Sequence, residues 1–152
     1  MPNPRKERAL CLCGCNREVA RPTTSGNKFF SVQCQRDLEY KLYIERWLQG
    51  LETGNRGHVQ VSNHVRRYLV EKHGEKCQKC GWAARNIRTG RIPITISHIN
   101  GDWTDSREEN LELLCPNCHS LTPTYGALNK GKGRPRVRRE LILPSNSVAR
   151  TR

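Results

Sequence analysis

Eight cysteines, two histidines and an asparagine carry the chemistry legible in this chain. Cys77-Gln78-Lys79-Cys80 and Cys115-Pro116-Asn117-Cys118 are C-x2-C knuckles. Each knuckle presents two thiolates from one tight turn, and four soft ligands fill the tetrahedral shell of one zinc ion. Cys77, Cys80, Cys115 and Cys118 are therefore expected to bind a structural Zn²⁺. Between and just after the knuckles fall His98, Asn110 and His119, an order that a zinc ribbon alone does not explain. His98 closes the alternating run Ile94-Thr95-Ile96-Ser97-His98, just before the Asn100-Gly101 turn. An imidazole with an ordinary pKa of about 6.5 is mostly neutral at pH 7, so it can accept a proton from water. A second imidazole can hold a divalent cation.

On these residues, the stretch 77–129 resembles the HNH endonucleases of the ββα-metal superfamily, in the subgroup braced by a structural zinc, and is similar to phage-encoded and homing-type members. The resemblance implies a metal-dependent endonuclease that hydrolyses phosphodiester bonds in DNA. It assigns His98 as general base, Asn110 as the residue that pins the loop, and His119 as ligand of a catalytic Mg²⁺ or Mn²⁺. The chain departs from the family at Ser97, where an Asp or His usually binds that metal, and at Pro123, where some members carry a further histidine. Ser97, a carboxylate such as Asp102, or water is then expected to complete the shell. The alternative reading is a non-catalytic zinc-containing DNA-binding protein, a regulator or degenerate HNH protein in which Ser97 has removed the chemistry. RNA is disfavoured as the main substrate, since no RNA-binding motif is present and aromatics for base stacking make up only 6% of the chain.

Cys11, Cys13, Cys15 and Cys34 form a candidate second zinc site. C-x-C-x-C is tighter than a knuckle, and three of these thiolates are expected to reach one ion comfortably. Knuckle spacing, and an N-terminus not followed by an apolar segment, favour reduced thiolates on metal over disulfides and a cytoplasmic location, the host's if the chain is phage-encoded.

The elements that must position these groups follow from periodicity. Residues 35–50 read as an amphipathic helix with Leu38, Leu42, Trp47 and Leu48 inward and Ile44 beside them. Residues 52–61 read as a linker. Ser62 caps a second helix over 63–73, with Val65, Leu69 and Tyr68 inward, Gly74 at its end, and Arg66 and Arg67 on the outer face as phosphate contacts. Gly81-Trp82 is expected to pack against the zinc site. A strand over 92–98, a polar loop, a strand over 111–114 and a helix opened by Pro116 complete the pattern. The fold class expected is α+β: a small zinc-stabilised ββα-metal domain with an N-terminal helical, zinc-finger-like region and a basic C-terminal tail. The domains are 1–55, 56–130 and 131–152.

Composition points to the partner. The 152 residues hold 27 Lys+Arg against 14 Asp+Glu, a net charge of +13, and only 35% are hydrophobic. A large apolar core is not expected, and metal supplies much of the folding free energy. Double-stranded DNA is the expected partner, because phosphate neutralisation with counterion release dominates the binding of such chains. A second copy of the chain, in a homodimer, is a further candidate partner. Between 101 and 129 five acids face one base, whereas between 130 and 152 eight bases face one acid. Lys130, Lys132, Arg134, Arg136, Arg138 and Arg139 are thus candidate DNA contacts. Lys132-Gly133-Arg134-Pro135-Arg136 resembles the core of an AT-hook, and a generic basic tail is the plainer reading.

Overall fold

The computed structural model describes residues 8–19, 27–57 and 60–131. The tail bases Lys132, Arg134, Arg136, Arg138 and Arg139 lie outside the described residues, and so does the AT-hook-like segment.

Helix α1 runs Val32–Leu48 and starts three residues before its expected position, because Ser31 is its N-cap, accepting from the Cys34 N–H. Its inward face is Tyr40, Ile44 and Trp47; Leu42 and Leu48 are 44% and 50% exposed. The leucine-led face expected from the sequence is therefore corrected. The i, i+4, i+7 stripe places two large aromatic rings against the core, where they bury more area than leucines. Helix α2, Asn63–His73, has the predicted bounds, with Ser62 as N-cap and Gly74 as C-cap. Val65 and Leu69 on it are fully buried.

Where a linker is expected, strands β1 (Asn55–Arg56) and β2 (Gln60–Val61) pair antiparallel as a short hairpin between the helices. Helix α1 packs on α2, and one apolar cluster joins Tyr40, Ile44 and Trp47 to Val65, Leu69, Ile92, Ile94, Leu111 and Leu113. The expected 55/56 boundary therefore runs through the β1–β2 hairpin, and α1 shares its core with residues on the far side.

The second sheet is the antiparallel pair β3 (Thr95–His98) and β4 (Leu111–Leu114), with His98 opposite Leu111 and Ser97 opposite Glu112. Strand β3 is shorter than expected. Ile92 and Ile94 are buried, but Pro93 between them has no N–H to give a ladder. A one-turn helix, α3 (Pro116–Ser120), follows β4 directly and packs on both strands. Leu114 joins Cys77, Cys115 and Cys118 in a second small core. Strand residues alternate sides, so Leu114, Glu112 and Ser97 face this α3 side, while Leu113, Leu111 and His98 face the main core.

Candidate metal and nuclease site

Among the described residues two groups of four cysteines have ligand atoms all within 4.8 Å of one another: Cys77, Cys80, Cys115 and Cys118, and Cys11, Cys13, Cys15 and Cys34. The downstream group matches the knuckle spacing. A turn at 77–81 returns Gly81 N–H to the Cys77 carbonyl, and Cys115 caps α3 with its Sγ 3.4 Å from the Cys118 N–H. Trp82 braces this turn through its carbonyl, which accepts from the Cys77 N–H at 2.9 Å. The contact through which Gly81-Trp82 meets the cysteine turn is thus a backbone one, and Trp82 as a whole is 38% exposed.

The upstream group brings all four thiols within reach, not three. An isolated bridge between Leu10 and Glu18 folds the C-x-C-x-C segment back on itself, and α1 delivers Cys34 from its first turn.

The donor chemistry of both groups fits a metal. Burial raises the Cys77 thiol, but hydrogen bonds from the backbone of Cys115, Cys80 and Lys79 outweigh it and hold Cys77 down at about 6. Hydrogen bonding to Cys80 and Cys115 pushes Cys118 up to about 12. In the upstream group the backbone of Phe30 and Cys13 overcomes burial and brings Cys11 down to about 7, while Cys11 pushes Cys13 up to about 12. Crowded thiolates hold one another's protons on, and a divalent cation in place of those protons allows all four to ionise.

The His98 end of β3 is locked from two sides. Asn110, buried in the turn just before β4, accepts from the Asn100 N–H at 2.9 Å and donates through Nδ2 to Asn100 Oδ1 at 2.9 Å and to the Asp105 carbonyl at 2.6 Å. Its own carbonyl takes the Ile99 N–H. On the other side Asn129 Nδ2 donates to the Gly101 carbonyl at 2.6 Å. Gly101 has φ of +75°, and a Cβ there would lie 2.7 Å from both Asn129 and Thr124, so only glycine permits this approach.

His98 is half-buried, with Nε2 3.0 Å from Ser106 Oγ. Ser97 is 4% exposed and faces the α3 side. His119 lies within α3, as its sequence position after Cys118 implies, with Tyr125 edge-on to its ring at 5.2 Å. Asp102 Oδ1 accepts from the backbone N–H and hydroxyl of Thr104.

Two candidate DNA contacts have internal partners. Arg66 Nη2 donates to the Ile94 carbonyl at 3.0 Å, and Arg67 pairs with Glu71 and Asp37 with its guanidinium 4.0 Å over the Tyr40 ring. The outer-face reading missed these partners because Asp37 and Tyr40 on α1, and Ile94 just before β3, are distant in sequence. Lys130 is exposed.

Over 126 residues the chain is 40% identical to the H-N-H endonuclease F-TflIV of Escherichia phage T5, covering 81% of this chain and 51% of that protein. The chain is thus similar to an H-N-H endonuclease over most of its own length. It is also 29% identical over 111 residues to the Zorya protein ZorE of Escherichia coli, covering 72% of this chain and 27% of that protein. The chain thus spans about half the length of the phage endonuclease and about a quarter of ZorE. No protein-family model matches it, and no solved structure matches it. No helix among the described residues is long and apolar enough to cross a membrane.

The motif expected from the sequence comprises His98, Asn110 and His119. It does not account for Ser106, which is 2% exposed, accepts Trp47 Nε1–H at its carbonyl and bonds both His98 and Asn55 through its hydroxyl. Nothing in the local sequence marks Ser106. Its partners Asn55 and Trp47 lie 51 and 59 residues away.

Proposed function

We propose that this chain is a metal-dependent HNH endonuclease of the phage or homing type that hydrolyses phosphodiester bonds in double-stranded DNA, with β3, β4 and α3 as its ββα-metal unit. The observation that carries this reading is the triple hydrogen bond of Asn110 to the 100–105 turn, which fixes the end of β3 where His98 stands. A fixed base is what in-line attack by water requires.

In this reading His98 accepts the proton of the attacking water. Asn110 holds the turn so that His98 does not swing away as the phosphate binds. His119 binds the catalytic Mg²⁺ or Mn²⁺, with Ser97 on the same side of the hairpin and water or substrate oxygens completing the shell. When bound, that cation supplies Lewis-acid stabilisation of charge on the phosphate and leaving oxygen. An imidazole beside a neutral hydroxyl is a donor set better suited to Mn²⁺ than to Mg²⁺, which takes oxygen ligands. Each four-cysteine group takes one structural Zn²⁺, and the basic segment 130–152 supplies affinity for the DNA backbone.

The second reading, a zinc-containing DNA-binding protein without catalysis, is favoured by one observation. Ser97 is buried where the family has a charged or imidazole ligand. Nicking of supercoiled plasmid decides between them: wild type should nick with Mn²⁺ and His98→Ala should not, while both bind DNA alike. Absence of nicking by wild type with any divalent metal overturns the nuclease reading.

A further inference from the structure

The hydroxyl of Ser106 has one proton, and the structure accounts for it. Ser106 Oγ lies 2.7 Å from Asn55 Oδ1, an oxygen that can only accept. The Asn55 amide is oriented by its other end, where Nδ2 faces the Thr104 carbonyl at 3.5 Å. Toward His98 Nε2, 3.0 Å away, the Ser106 hydroxyl is therefore left as an acceptor, and Nε2 must carry the hydrogen.

We infer that Asn55 and Ser106 are positioning residues that hold His98 as its Nε2–H tautomer and so make Nδ1 the nitrogen that takes the proton from water. The inference rests on the nuclease reading above and adds to it a second anchor, from outside the stretch that bears the motif. The relay cannot drift easily. Trp47 Nε1–H donates to the Ser106 carbonyl at 2.9 Å. Gly54, at φ +76°, lets the backbone next to Asn55 come so close that a Cβ would meet Trp47 Nε1 at 2.6 Å and the Ser106 carbonyl at 2.8 Å. Helix α1 and the β1–β2 hairpin thus hold the base from the core side, while Asn110 holds its strand end from the loop side. One constraint, through Ser106, acts on the imidazole itself, and the other, through Asn110, acts on the strand end that carries it. In other sites, partners that orient a functional histidine are worth about 10- to 100-fold.

The test uses the full chain with its metals bound. Nitrogen NMR of the histidine rings, with His98 identified by the signal lost in His98→Gln, should show Nε2–H in wild type. Ser106→Ala should shift His98 toward the other tautomer and lower the nicking rate at saturating plasmid on the order of 10- to 100-fold, with plasmid affinity unchanged. Asn55→Asp keeps an acceptor for Ser106 and should retain both tautomer and rate, whereas Asn55→Ala should lose them. That pair tests the relay even where Ser106→Ala folds poorly. An Nδ1–H tautomer in wild type, or Asn55→Ala and Asn55→Asp nicking equally well, overturns the inference. Should wild type show Nε2–H, lost in the Asn55→Ala chain, and yet nick no DNA, the hydrogen-bond relay stands and the nuclease reading falls.

Discussion

Asn110 and Asn100 bond each other at both ends: the Asn100 N–H donates to Asn110 Oδ1 at 2.9 Å, and Asn110 Nδ2 returns a bond to Asn100 Oδ1 at 2.9 Å. A side-chain amide has substituted for a strand ladder at the point where β3 turns into its loop. Asn110 is 6% exposed, so its partners have little water to replace it. Asn110→Ala should destabilise the protein by roughly 2–4 kcal/mol, the cost of three lost bonds that hold the turn. Urea unfolding measures this, and a loss under about 0.5 kcal/mol would mean that the turn holds itself.

The cysteine groups predict a metal requirement for folding. Cys80→Ser should unfold the region around β4 and α3, because a structural zinc contributes roughly 10 kcal/mol or more to small metal-braced folds. Metal analysis of the wild type should find zinc, and a strong chelator should remove the β3–β4 amide protection seen in hydrogen exchange. Retention of that protection in zinc-free protein would show that Leu113 and Leu114 hold the hairpin unaided.

Burial gives Ser97 a two-sided test. Ser97→Asp places a carboxylate at a position 4% exposed, so without divalent cation it should lower stability on the order of 2–4 kcal/mol. If a cation binds on the α3 side of the hairpin, Mn²⁺ should restore more stability to Ser97→Asp than it adds to wild type. Thermal melts with and without Mn²⁺ compare the two. Equal Mn²⁺ effects would place the cation away from residue 97, with Asp102 the next carboxylate to substitute.

Asp105 sets a pH dependence. The Arg107 guanidinium beside it outweighs the opposing effect of burial and, with the Arg107 backbone and the Asn100 amide, holds the Asp105 carboxyl down at about 2. A carboxyl whose folded value lies below its ordinary value of about 4 stabilises the fold above that value and loses the contribution as pH falls through the folded one. The Tm gap between wild type and Asp105→Asn should therefore be constant above about pH 4 and narrow as the pH drops toward 2. A gap that widens on acidification would contradict the ion pair with Arg107.

Much of this arrangement was legible in the sequence, for definable reasons. Helix α2 carried its signals locally, with Ser62 and Gly74 at its ends and Val65 and Leu69 four apart. The β3–β4 pair was readable because Ile94, Ile96 and His98 alternate and the Asn100-Gly101 turn marks a reversal. The inward face of α1 was not readable. Its leucines and aromatics lie on adjoining faces, and only the position of α2 decides which of them is covered. The internal partners of Arg66 and Arg67 were not readable, because their acceptors, the Ile94 carbonyl and Asp37, lie 28 and 30 residues away. Ser106 was silent for the same reason: a serine in a polar loop has no periodicity, and its importance comes from distant contacts.

Helix α1 bears Cys34 in its first turn and Trp47 in its last, a span of roughly 20 Å at 1.5 Å per residue. One rigid rod therefore has a candidate metal ligand at one end and, at the other, the indole that steadies the loop beside the histidine strand. The N-terminal cysteine group and the hairpin are thus not interchangeable modules. A fragment begun at residue 56 would strip Tyr40, Ile44 and Trp47 from the cluster that covers Val65 and Leu69, and a foreign head grafted there would need to supply its own tryptophan.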